Sequence, residues 1–118
     1  MARDWQLYAQ DILDCIAELE EITREVASLE NLRQSRRDLH TMERCFEIIG
    51  EAAKHLPQQL KDSQGQIPWR NIIGLRDVIA HGYFTVSPET LWSTAVSDLD
   101  ALKRAIEAII RESGESQK

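Results

Sequence analysis

The sequence predicts an all-α protein, an antiparallel bundle of four to five helices that forms a single domain over residues 1–118. Apolar residues recur at alternating steps of three and four along most of the chain, which is the period of an amphipathic helix. Residues that start or end helices separate these segments. The one strand candidate, "YFTV" at residues 83–86, is short and lacks a partner. A chain of 118 residues is long enough for one hydrophobic core but not for two.

The first predicted helix is long and has an acidic outer face. It is interrupted by "NLRQS" at residues 31–35. Its apolar stripe is Trp5, Tyr8, Ile12, Cys15, Leu19, Ile22, Val26 and Leu29.

The second predicted helix begins at a capping signal, because Ser35 is followed three residues later by the acid Asp38. Pro57 either ends this helix or opens a short extra turn through "QQL". Its apolar stripe is Leu39, Met42, Phe46, Ile49, Ala53 and Leu56.

The third predicted helix runs from about Pro68 to about Ala80 or His81, with Gly82 placed to break it. A fourth helix is predicted after Ser87 and is closed by Gly114. Its apolar positions are Trp92, Val96, Leu99, Leu102, Ile106 and Ile109.

Composition argues against several classes of function. The net charge of −6 disfavours a protein that coats nucleic acid non-specifically, although all three histidines and eight of the basic residues lie within residues 31–84. No apolar run approaches the roughly 20 residues of a membrane span, and the first residues lack the apolar region of a signal peptide, so we expect a cytoplasmic protein without membrane contact. Cys15 and Cys45 are predicted to be buried thiols rather than a disulfide or a zinc site.

The segment "RDVIAHGYF", residues 76–84, places charged and titratable residues at the end of the third helix. Arg76 offers a permanently charged fork that matches phosphate oxygens, and His81 can move a proton near neutral pH. Asp77, four residues before His81, could orient the imidazole, and Tyr83 follows on the loop. These groups suit cleavage of RNA, whose 2′-hydroxyl is a built-in nucleophile, and they could suffice without a metal. A second proton carrier is required, and a two-fold dimer would supply it.

The same residues have a simpler interpretation. Arg76 could extend its charged end into solvent, His81 could cap the helix C-terminus, and Tyr83 could anchor the loop. The spacing R-x4-H occurs by chance in many helices, so the spacing alone does not decide between the two.

Arg76, His81 and Tyr83 in the form R-x4-H-x-Y, preceded by "IPW", resemble the HepT toxins of the HEPN superfamily. Further similar landmarks are "IIGEAAKHLP" at residues 48–57 and "LW" before the last helix, so the resemblance covers essentially the whole chain. It implies an all-α bundle and a metal-independent endoribonuclease without a cofactor. It also implies a homodimer in which the two R-x4-H motifs face each other, with Arg76 and His81 as the catalytic pair.

The resemblance also implies a partner, a minimal nucleotidyltransferase antitoxin, which in some systems adenylylates the motif tyrosine, here Tyr83. Position 77 is most often Asn in the superfamily, whereas Asp77 adds a negative charge that could slow cleavage. A second interpretation therefore stays open: a non-catalytic helical HEPN domain that serves as a docking or substrate-binding partner of a nucleotidyltransferase.

Three other groups have structural as well as functional interpretations. Glu47, Glu51 and His55 fall four residues apart, and we expect a solvated face, or an ion pair between Glu51 and an arginine of a neighbouring helix, in preference to a metal site. A basic cluster is either a solvated helix end or a contact for RNA or an acidic partner; it comprises Arg33, Arg36, Arg37 and Arg44. The tryptophans are predicted to be core or interface anchors: Trp5, Trp69 and Trp92.

Overall fold

The computed structural model describes the backbone of residues 4–81 and 87–116, and side chains within residues 4–77 and 87–113. These residues form helices joined by turns, without a strand, so the prediction of an all-α bundle is confirmed. The strand candidate at residues 83–86 lies outside the described residues. In chain order the helices are α1 (Trp5–Val26), α2 (Leu29–Arg33), α3 (Arg36–Lys54), α4 (Gln58–Asp62), α5 (Trp69–His81), α6 (Pro88–Ser97) and α7 (Leu99–Ser116).

The first predicted helix is broken where its apolar stripe indicated continuity. Helix α1 ends at Val26, because Ala27 adopts a left-handed conformation with φ 68° and ψ −17°. Ser28 then caps the short helix α2 by accepting a hydrogen bond from the Asn31 backbone N–H. The predicted helix to Leu29 was therefore wrong in its last turn, since the left-handed residue turns the chain without interrupting the apolar spacing.

Helix α3 begins at the predicted capping residue, Ser35, and ends at Lys54, shortly before the predicted break at Pro57. The Ser35 hydroxyl oxygen accepts from the backbone N–H of Asp38 at 3.2 Å and donates to the Asp38 carboxylate at 2.8 Å. After Pro57 the chain makes the short helix α4, which corresponds to the extra turn that the sequence allowed. Lys61 in α4 is buried and donates to the Ala53 carbonyl at 3.1 Å, so it adds a hydrogen bond to a carbonyl at the end of α3 that also accepts from the Leu56 backbone N–H at 3.2 Å.

The third predicted helix is confirmed as α5, which starts one residue after Pro68 and ends at His81. The fourth predicted helix is two helices, because the chain turns at Asp98 between α6 and α7. Gly114 does not close the last helix, which continues to Ser116. A single glycine costs a helix only about 1 kcal/mol relative to alanine, so it does not force an end by itself.

Helix α3 is the centre of the bundle, since α1 and α5 pack along it on two sides. The five helices of ten or more residues, α1, α3, α5, α6 and α7, correspond to the predicted bundle of four to five. The largest fully buried side chains come from four of these helices and from α2: Ile12, Ile16, Leu19, Leu32, Met42, Ile49, Leu91, Ile106 and Ile109.

The cysteines and tryptophans behave as predicted where their side chains are described. Cys15 and Cys45 are free, buried thiols. The pKa of Cys45 is raised by its hydrogen bond with the Cys15 thiol and by burial, which keeps it protonated and unreactive. Trp5, Trp69 and Trp92 are partly buried and pack against the core. Within the described residues, no helix is both long and apolar enough to cross a membrane.

Candidate active site

Arg76 lies on α5 where that helix packs closely against α3. Gly50 of α3 allows this approach, because a β-carbon at that position would lie 2.6 Å from the Arg76 β-carbon and 2.9 Å from the Ile72 carbonyl oxygen. Both distances are shorter than carbon and oxygen atoms tolerate without displacement. The side chain of Arg76 therefore starts at a close approach of α3 and α5.

Two carboxylates hold the guanidinium of Arg76. Its Nε lies 3.1 Å from Oε2 of Glu51 on α3, and its Nη1 lies 3.1 Å from Oδ1 of the adjacent Asp77. The predicted pairing of Glu51 with an arginine of a neighbouring helix is confirmed. The prediction that Asp77 orients His81 stays a prediction, because the His81 side chain is outside the described residues.

The other oxygen of Glu51 binds His55 one helical turn later. His55 Nε2 lies 3.2 Å from Glu51 Oε1, and the imidazole stacks on the ring of Tyr8 from α1, with centroids 4.4 Å apart and planes inclined by 12°. Glu51 is thus shared between Arg76 and His55. In the described part of the chain, no three His, Cys, Asp or Glu side chains are grouped so as to hold a metal ion.

Tyr8, Glu51 and Arg76 border a small open cleft of about 180 Å³ between α1, α3 and α5. Its lining mixes two cationic side chains with three carboxylates and a short apolar floor: Tyr8, Asp11, Arg44, Glu47, Ile48, Glu51, Ala52 and Arg76. The guanidinium of Arg76 could bind a phosphate in this cleft, but neighbouring carboxylates already offset part of its positive charge.

A larger cavity of about 400 Å³ lies on the other side of α5, against α6 and α7. Its walls are mainly apolar, with Phe46, Ile49, Ile72 and Leu75 among them, and Asp98 is the one ionisable residue among the described residues that line it. Since phosphodiester cleavage needs charged and proton-transferring groups, the smaller cleft beside Arg76 is the candidate site.

The remaining motif residues are placed only in part. His81 is the last residue of α5, five residues after Arg76, as the sequence predicted. Its side chain, and all of Gly82 and Tyr83, lie outside the described residues. Of the predicted catalytic pair, Arg76 and His81, the structure describes the side chain and contacts of Arg76 only.

The basic cluster divides into separate environments. Arg33 pairs with Glu89 of α6 across the bundle, and the pKa of Glu89 lies below its usual value because its own backbone N–H and the Arg33 guanidinium donate to it. Arg44 pairs with Glu47 at 3.5 Å and borders the cleft. Among the described residues that line the cleft, Arg44 is the one member of the predicted basic cluster, and it lies there together with Arg76.

Comparison with known proteins provides the deciding observation. The family described as "Ribonuclease HepT-like" matches residues 12–109, which is most of the chain. This chain belongs to the HepT-like ribonuclease family. The expectation raised by the R-x4-H-x-Y segment is confirmed at the level of the family.

Relatives of the HepT-like chain carry consistent names. A protein of Thermococcus cleftensis named "Probable ribonuclease HepT" is 36% identical over 109 residues, covering 92% of this chain and 98% of that protein. A Methanocaldococcus jannaschii protein named "Putative RNase" is 30% identical over 110 residues, covering 93% of this chain and 90% of that protein. No solved structure matches the chain significantly.

Sequence reasoning missed part of the HepT-like site. It identified Arg76 and its partner Glu51, but it assigned His55 to a solvated face and Tyr8 to an apolar stripe. Tyr8 and His55 are 47 positions apart, and no spacing rule connects residues on two different helices. The "GEAAKH" stretch carried a weak signal, since Glu51 and His55 are four residues apart and so share one helical face.

Proposed function

We propose that this HepT-like protein is an endoribonuclease that cleaves RNA without a metal ion, with Arg76 and His81 as its catalytic residues. The observation that carries this proposal is the guanidinium of Arg76, fixed between Glu51 and Asp77 at the border of a cleft, in a chain of the HepT-like family. An arginine fork is suited to a phosphodiester, and the helix that carries Arg76 ends at His81.

The reaction is an internal transfer of the phosphoryl group. A histidine removes the proton of the 2′-hydroxyl, the 2′-oxygen forms a bond to phosphorus, and the bond from phosphorus to the 5′-oxygen breaks. A second acid protonates the departing 5′-oxygen, and Arg76 stabilises the negative charge that grows on the phosphate oxygens. The products are a 2′,3′-cyclic phosphate and a 5′-hydroxyl end.

We propose that the two proton carriers are His81 and its counterpart in a second copy of the chain. One motif supplies one histidine, whereas the reaction needs a base and an acid on opposite sides of one phosphate. A two-fold dimer places identical surfaces against each other and so doubles the motif.

The family resemblance supports a biological setting as a cytoplasmic toxin whose partner is a minimal nucleotidyltransferase antitoxin. In this proposal the Tyr83 hydroxyl attacks the α-phosphorus of ATP in the partner's active site, and pyrophosphate leaves. The attached AMP would bring a negative phosphate close to Arg76 and place a bulky nucleoside across the path of the RNA.

A second function is favoured by one observation, the 3.1 Å contact between Asp77 Oδ1 and Arg76 Nη1. A carboxylate on the fork competes with phosphate, and together with Glu51 it leaves the motif arginine opposed by two negative charges. Such an arginine fits a non-catalytic HEPN domain that docks a nucleotidyltransferase or presents a substrate to it.

Analysis of the RNA ends tests the proposed function. Purified protein is incubated with a labelled single-stranded RNA, and the ends of the fragments are determined. We expect internal cuts with 2′,3′-cyclic phosphate and 5′-hydroxyl ends, which disappear in His81→Ala. Uncut RNA with wild-type protein would favour the docking function, and 5′-phosphate ends would contradict the proposed chemistry.

A further inference from the structure

Three side chains from two helices form a continuous row that ends on Arg76. The ring of Tyr8 on α1 stacks on the imidazole of His55, His55 Nε2 lies 3.2 Å from Glu51 Oε1, and Glu51 Oε2 lies 3.1 Å from Arg76 Nε. His55 is the residue that follows the last turn of α3, so its ring can reach both α1 and the carboxylate one turn earlier. We call Tyr8, His55 and Glu51 the Arg76 brace.

The chemistry of the row assigns the proton on His55. A carboxylate only accepts hydrogen bonds, so Nε2 of His55 must carry hydrogen to bind Glu51, whether the ring is neutral or charged. The stacked Tyr8 ring fixes the plane of the imidazole and therefore the direction of its N–H. Glu51 is then held through Oε1, which leaves Oε2 directed at Arg76.

The side chains of Glu51 and Arg76 are partly exposed, but the two atoms that meet are buried. The two side chains are 42% and 35% exposed, yet Oε2 and Nε are themselves buried, and neither finds an aligned hydrogen-bond partner among the described residues. The contact is therefore an ion pair of bent geometry. A partly exposed pair contributes little to stability, so its main effect is on the orientation of the guanidinium.

We propose that Tyr8, His55 and Glu51 are positioning residues that set the orientation of Arg76 toward the phosphate of the substrate. The inference rests on the proposed ribonuclease function. Glu51 occupies the Nε side of the guanidinium, which restricts rotation of the fork about its long axis. His55 and Tyr8 act through Glu51, because their contacts keep its carboxylate in place.

Substitution of His55 separates the hydrogen bond from the stacking. His55→Phe keeps an aromatic ring against Tyr8 but has no N–H, whereas His55→Gln places an amide N–H near the position of Nε2 without the ring. His40→Phe is the matched control, because His40 is an exposed histidine on α3, the helix that His55 caps, and it makes no contact with Glu51 or Tyr8 among those the structure describes. Each variant is assayed for cleavage of a defined RNA and for its melting temperature.

We expect His55→Phe to lower kcat by roughly 2- to 10-fold, the effect of one lost hydrogen bond, with KM nearly unchanged. The effect falls on kcat because Arg76 acts mainly on charge that develops in the transition state. His55→Gln should recover most of this loss, and His40→Phe should match wild type. Wild-type kcat in His55→Phe, a change confined to KM, or an equal loss in His55→Gln would overturn the inference.

A measurement without RNA separates failure of the brace from failure of the ribonuclease function. The {¹H}–¹⁵N NOE of the Arg76 Nε–H group reports how firmly the guanidinium is held. We expect a rigid value in wild type and a lower value in both Glu51→Gln and His55→Phe, even if the protein cleaves no RNA. An unchanged NOE in both variants would refute the brace, while absent cleavage with a reduced NOE would refute only the ribonuclease function.

Discussion

Gly50 of α3 and Arg76 of α5 are so close that a β-carbon on Gly50 would lie 2.6 Å from that of Arg76. The glycine therefore sets the separation of the two helices at the point where the proposed catalytic arginine and its partner Glu51 meet. The position of the candidate site thus depends on a residue without a side chain.

Gly50→Ala should destabilise the protein and displace Arg76. Forcing α5 away from α3 is expected to cost about 1 to 3 kcal/mol by overpacking, and RNA cleavage should fall because the contact between Arg76 and Glu51 lengthens. Gly74→Ala is the matched control, since none of the described residues that pack around α5 would lie within 4 Å of a β-carbon there. It should raise stability by up to about 1 kcal/mol. Urea unfolding and a cleavage assay measure both effects; a Gly50→Ala variant as stable as wild type would contradict the predicted clash.

Asp77→Asn should raise cleavage. It removes the negative charge 3.1 Å from Arg76 Nη1, and since Asp77 is 62% exposed we expect only about a 2- to 5-fold increase in kcat/KM. Asp100→Asn is the control, because Asp100 is an exposed acid that pairs with Arg104 at 3.2 Å and does not line the cleft. A large loss of activity in Asp77→Asn would instead show that the charge of Asp77 is needed, as an orienting role toward His81 would require.

Ala27→Gly should stabilise the turn between α1 and α2. Ala27 has φ 68°, a conformation that disfavours a β-carbon, and we expect a gain of about 0.5 to 1 kcal/mol despite the greater freedom of glycine in the unfolded chain. Ala17→Gly provides the comparison, because Ala17 is an exposed residue within α1, where glycine should cost about 1 kcal/mol. Denaturant midpoints distinguish the two, and a loss of stability in Ala27→Gly would be inconsistent with a left-handed Ala27.

Subunit mixing tests the proposed composite site. His81→Ala protein is expected to be inactive, and mixing an excess of it with wild-type protein should lower the wild-type activity, because a mixed dimer holds only one of the two histidines that the composite site needs. Sedimentation of the wild-type protein should give a dimer at the concentration of the assay. A monomer with undiminished cleavage would contradict the composite site.

The helical periodicity and the capping residues were sufficient to predict the all-α bundle, the start of α3 at Ser35 and the end of α5 at His81. The breaks at Ala27 and Asp98 were missed, because each changes the direction of the chain while the apolar steps of three and four continue. Local spacing thus predicts where helices form better than where they bend.

The candidate site was predictable only where its residues share a segment or a motif. Arg76 and Asp77 followed from one segment, and the pairing of Glu51 was anticipated from the stretch around it. The stacking of Tyr8 on His55 depends on how α1 packs beside the end of α3, which is a property of the folded bundle and not of either helix alone.

The central claim is that RNA is cleaved by Arg76 and His81 without a metal ion. The direct measurement is incubation of total RNA with wild type, Arg76→Ala and His81→Ala in the presence of EDTA, followed by quantification of the remaining intact RNA. We expect cleavage by wild type at its full rate in EDTA, and a loss of at least about 100-fold in His81→Ala, the usual contribution of a proton-transfer group. Cleavage that EDTA abolishes, or that survives at the full rate in His81→Ala, would contradict the claim.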